Sequence, residues 1–126
     1  MMPRFALTCF LLVLLAPLTM QCHKGVTQND INKIQFNYTS VENTGLKHEG
    51  VNLDYEFCIP ARDAYAKKVL HIEPRAQILQ KSKGRSGCSD SEWLVIIANH
   101  DDAWKKKLFD IAALSFVERI KETFYE

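Results

Sequence analysis

Apolar and polar positions divide the 126-residue chain into a leading apolar run, a polar stretch and a patterned remainder. Residues 5–20 are mostly apolar, with Arg4 ahead of them. A basic start, an apolar run too short to span a bilayer and a polar continuation predict a secretory signal peptide over residues 1–22. No second hydrophobic run follows, so the product is expected to be secreted, extracellular and free of membrane insertion after cleavage. Residues 23–57 are polar, with few strong apolar positions, and are expected to form an irregular arm. Within that arm, Thr27 is a candidate cap for a short helix over 30–36.

Period-2 alternation predicts a first strand over 64–73, with Lys68, Leu70 and Ile72 on one face and Lys67, Val69 and His71 on the other. Helix competes for 61–70, because Ala and Lys are good helix formers. Pro74 ends the element. Residues 77–80 extend a strand or cross over, and 81–87, with two glycines and three bases, should be an exposed loop. The clearest strand is 92–99, whose run Trp93 to Ala98 is continuously apolar. Residues 99–102 read as a turn, and 104–109 as the returning strand. Asp110 fits a helix N-cap. Ala113, Phe116, Val117, Ile120 and Phe124 then form a helical stripe. The expected fold class is α+β: a small three-stranded antiparallel sheet covered by a C-terminal helix.

Composition adds two constraints. The chain has 16 basic and 15 acidic residues, and losing Arg4 with the signal leaves 15 against 15. A neutral total gives no reason to expect nucleic acid as a partner, so any basic function must come from local clustering. There are four cysteines. Cys9 leaves with the signal and Cys22 lies at the cut. The secretory route favours disulfides, so Cys58 and Cys88 are the natural pair. Their bridge would stabilise the fold by on the order of 3 kcal/mol through loop closure. A retained Cys22 would be a free thiol or a link to another chain.

Candidate chemistry is sparse. Asn37-Tyr38-Thr39 is an N-glycosylation sequon. Lys105, Lys106 and Lys107, with Lys67 and Lys68, are candidates for a basic patch, which the loop bases Lys81, Lys83 and Arg85 would widen. His23, His48, His71 and His100 are scattered, and the sequence near His100 reads as a turn and not as a metal site. No Cys–His pair, phosphate loop or nucleophile elbow is visible. No enzyme activity, metal or cofactor is expected.

The order of cysteine, strand, loop, cysteine, hairpin and helix over residues 57–125 resembles the chemokine family. Cys58 matches that family's first cysteine and Cys88 its third. Cys88-Ser-Asp-Ser-Glu-Trp-Leu-Val-Ile-Ile resembles the start of its second strand, and Leu108-Phe109-Asp110 with Phe116-Val117 its strand end and helix start. The resemblance is to a one-disulfide member, since Ile59-Pro60 follows Cys58. Phe57-Cys58-Ile59-Pro60 and Gln21-Cys22 also resemble segments of the chemokine-like accessory glycoproteins by which cytomegalovirus enters cells. On this resemblance, residues 58–126 form a chemokine-like domain and Asp54, Tyr55, Glu56, Phe57, Ile59 and Pro60 are receptor contacts. The five lysines would hold glycosaminoglycan. The implied function is that of a secreted cytokine binding a cell-surface receptor. The second function implied is that of a subunit binding a partner glycoprotein.

Overall fold

The computed structural model describes residues 25–47, 50–98 and 101–125. The expected signal peptide, Cys9, Cys22, His23, His48 and His100 lie outside the described residues. The chain folds as α+β, in the order α1 (Gln28–Ile31), a 3-10 turn (Tyr38–Ser40), β1 (Tyr55–Pro60), α2 (Asp63–Ile72), β2 (Gln77–Leu79), β3 (Glu92–Ile97), α3 (Trp104–Ala112) and β4 (Ile120–Glu122). The sheet is antiparallel, with four strands in the order β2-β3-β1-β4.

β1 is the element that organises the rest. Tyr55, Phe57 and Ile59 alternate with Glu56, Cys58 and Pro60, so each set takes one face. Register places Phe57 beside Val95 on one side and Ile120 on the other. Tyr55, Phe57 and Ile59 are at most 1% exposed and join Val69, Val95, Ile97, Trp104, Leu108, Ile111 and Ile120 in a single core. Helices α2 and α3 cover this inner face. The expected boundary between arm and domain, Phe57 to Cys58, therefore falls inside a central strand. The preceding segment is also built in: Ile34, Val41 and Leu53 are core residues.

Three expected elements differ. Residues 64–73 are helical, not extended. Ala66, Val69 and Glu73 recur at helical spacing and are buried, while Lys67 and Lys68 stay outside. A strand would have placed Lys68 beside Leu70 and Ile72. Asp63 in the first turn and His71 in the last complement the helix dipole. Residues 104–109 are also helical. Trp104, Leu108, Ile111 and Ala112 stand at i, i+4, i+7 and i+8, and all are buried. The Lys106 ammonium meets Asp110 one turn on, at 2.6 Å. Asp110 is thus inside α3 and is not an N-cap.

The third difference is at the chain's end, where a strand stands in place of the expected helix. α3 stops at Ala112. There Lys33 Nζ donates to the carbonyls of Ala112 (2.7 Å) and Leu114 (3.2 Å), satisfying the helix end. Ile120 then completes the unpaired side of β1. Its own outer side is paired in turn, donating to Lys33 O and accepting from Gln35 N.

Three expectations hold. β3 is an interior strand over Glu92–Ile97. Gln77–Leu79 extends the sheet as β2. Thr27 caps α1 through a capping box with Asp30, although the helix is shorter and begins earlier than expected. Thr27's hydrogen bonds, first from its backbone and then from its side chain, hold the Asp30 carboxyl below its ordinary range.

The outer face of the sheet carries Glu56, Cys58, Leu94 and Lys121. The β2–β3 connection folds back over it. Cys88, at 2% exposed, is bridged to Cys58 across 30 residues. Ser86 donates to Glu56 Oε1 from its backbone N–H (2.8 Å) and from Oγ (3.3 Å). The loop's residues 81–85 are exposed, as expected, but its far end is a tethered lid on Leu94.

Candidate functional site

The expected receptor-contact residues do not form a surface. Tyr55, Glu56, Phe57 and Ile59 are interior, at no more than 2% exposure. Only Asp54 and Pro60 are partly open. Burial pushes the Tyr55 phenol far above its usual range, with nearby Glu73 and Asp101 adding to the shift. These four side chains do not reach the surface, because β1 is paired on both edges and its two faces are covered by the core and by the β2–β3 connection.

The five lysines divide between two helices. Lys67 and Lys68 are exposed on α2, where Lys68 lies 5.9 Å from the Tyr65 and Phe116 ring centres. Lys105 lies over Trp104, and Lys106 pairs with Asp110. Lys107 bridges Asp101 (2.7 Å) and the buried Glu73 (3.2 Å). Asp101's hydrogen bond is the main cause that holds the Lys107 ammonium above its usual range, and Lys107 likewise lowers Asp101. Lys107 thus serves the fold as a carboxylate partner. Asn37 is exposed at the start of the 3-10 turn. Its Oδ1 accepts from Thr39 N (3.2 Å) and Thr39 Oγ1 (2.7 Å).

A different face gathers the unusual chemistry. Phe124 is 53% exposed, Tyr125 69% and Val51 55%. Exposed apolar residues scattered singly are ordinary, but these three line one concavity of about 340 Å³ with Lys47, Asp54 and Glu122. Two cations lie close to the Phe124 ring. The Arg85 guanidinium is 4.9 Å from its centre and the Lys47 ammonium 5.6 Å. Lys47 also forms an ion pair with Glu122. Partial burial raises the Tyr125 phenol, helped by the nearby Asp54 and Glu56 carboxylates. Asp54 Oδ1, on the same wall, is buried without a hydrogen-bond partner. Phe124 also lines a second concavity of about 620 Å³, with Phe36, Asn37, Arg85, Lys121 and Glu122.

Sequence reasoning assigned Phe124 to a buried helical stripe and Arg85 to an exposed loop that would widen the lysine patch. The available signal was Lys121-Glu122-Thr123-Phe124-Tyr125, where charge and large aromatics adjoin. Among the described residues, no group of three or more His, Cys, Asp or Glu is placed to hold a metal ion. No helix there is long and apolar enough to cross a membrane. No protein-family model, curated protein or solved structure matches the chain.

Proposed function

We propose that this is a secreted interaction protein that works by binding another extracellular protein, as a subunit or surface partner of a glycoprotein. The observation that carries this reading is the exposed Phe124, with Arg85 and Lys47 close to its ring and Tyr125 and Val51 lining the same concavity. Aromatic and arginine side chains dominate the energetics of protein interfaces. Fixing them on a bridged scaffold lowers the ordering cost of binding. The bridge between Cys58 and Cys88 suits an oxidising compartment.

The alternative, a chemokine-like cytokine retained by glycosaminoglycan, has less physical support. Four of its six receptor-directed residues are interior, and two of its five lysines already hold carboxylates. A photo-crosslinking residue at Tyr125, with a second at Lys67 as a control, tests the proposal in the full secreted chain. A covalent adduct to one extracellular protein is expected from Tyr125 and not from Lys67. Adducts from neither position, or from Lys67 alone, would contradict the reading.

A further inference from the structure

The outer edge of β4 is capped for only one residue. Ile120 uses both its peptide groups on Lys33 and Gln35. Lys121 faces β1 through its pairing with Glu56, and Thr123 N donates to Asp54 O. Antiparallel alternation therefore turns the N–H and C=O of Glu122 outward. No backbone bond from another described residue reaches them. The capping segment has turned away by then, since Tyr38 N bonds back to Phe36 O and the 3-10 turn begins. What remains beside Glu122 is the concavity of about 620 Å³ between Phe36 and Phe124.

An open strand edge with unpaired peptide groups accepts another strand. Phe36 and Phe124 supply apolar walls. Lys121 and Arg85 supply positive charge, and Lys121 has no carboxylate partner among the described residues. We propose that this notch takes an extended, acidic segment of a partner protein as a short added strand against Glu122, with an apolar side chain against Phe124 and a carboxylate against Lys121. The inference rests on the protein-binding reading and specifies which edge and which chemistry it uses.

The probe is a synthetic peptide of alternating glutamate and valine, compared with the same peptide carrying lysine for glutamate. Amide NMR of the full secreted chain reports binding. The acidic peptide is expected to shift the Glu122 and Phe36 amides. The lysine peptide, and an acidic peptide N-methylated at alternate amides, are expected to bind about tenfold more weakly or not at all. Lys121→Glu and Phe124→Ala should each weaken binding by about tenfold while leaving the β1 amides in place. Equal binding of both peptides, shifts confined to another surface, or no shift at Glu122 would overturn the proposal. A Tyr125 adduct that persists in Lys121→Glu would sink this inference alone. Absence of any adduct in the chain with Lys121 intact would sink the broader reading even if the peptide binds.

Discussion

Gly84 lies directly on Leu94. A β-carbon at Gly84 would stand 2.7 Å from one Leu94 methyl and 3.1 Å from Glu56 Oε1, and its φ of +57° already favours glycine. The loop's closest approach to the sheet therefore needs the one residue with no side chain, directly over a leucine that is 1% exposed.

Gly84→Ala should destabilise the fold by about 1–3 kcal/mol, combining left-handed strain with displacement of Leu94. Gly87 has φ +67° but nothing within 4 Å of the same position, so Gly87→Ala should cost only the backbone part, about 1 kcal/mol. Urea denaturation of both variants checks the difference. Equal costs would mean that the loop does not rest on Leu94.

The bridge between Cys58 and Cys88 holds the same lid from its other end. Replacing both cysteines by serine should cost on the order of 3 kcal/mol from the 30-residue closure. Ser86 and Glu56 sit beside the bridge, so hydrogen exchange of the Ser86 amide should accelerate more than that of Phe57. A uniform acceleration would contradict a lid that opens locally.

Glu73, Lys107 and Asp101 form a chain from interior to surface. The Glu73 side chain is 4% exposed and that of Asp101 41%. Lys107→Met should cost about 1–3 kcal/mol, chiefly by removing the cation on Oε2 of the buried Glu73, whose Oε1 keeps Arg75 at 3.6 Å. Asp101→Asn should cost about 1 kcal/mol or less, because water screens that pair. Thermal denaturation of the two variants gives the order, and a costlier Asp101 change would contradict it.

Acid should weaken the fold through Asp101 and Asp30. Both are held below their ordinary value of 3.8. Their unfolded forms bind protons first, so their stabilisation is present above 3.8 and is lost as pH falls through the lower folded values. The denaturation midpoint should fall below about pH 4, and Asp101→Asn should flatten part of that limb. An unchanged acid limb in this variant would show that the pair with Lys107 does not persist in solution.

The parts legible in the sequence are those whose signal is local. The run around Leu94 and Val95 marks an interior strand wherever it packs. Thr27 and Asp30 make their capping box without help from the rest of the chain. The cysteine pair follows from the expected secretory route and the count. The Tyr55, Phe57 and Ile59 alternation was equally local, but the resemblance assigned that segment to an exposed contact zone. Residues 104–112 failed for another reason. A three-lysine run satisfies strand alternation and helix spacing alike, and only Ile111 and Ala112 beyond it decide for the helix. Ile120 was fixed by tertiary demand. It pairs with β1 and with the Lys33–Gln35 backbone, and nothing near it in sequence announces either partner. The proposed binding face is less legible still, because it joins Lys47, Arg85 and Phe124 from three separated segments.

The account depends on β1 lying between β3 and a terminal strand. Phe57 and Ile120 form a close, non-hydrogen-bonded pair, as do Tyr55 and Glu122. NOE spectroscopy of the folded chain reads this directly. Cross-strand Hα–Hα contacts between Phe57 and Ile120 and between Tyr55 and Glu122 are the predicted result. Their absence, with sequential helical contacts running through residues 113–124 instead, would contradict the edge strand and the binding face built on it.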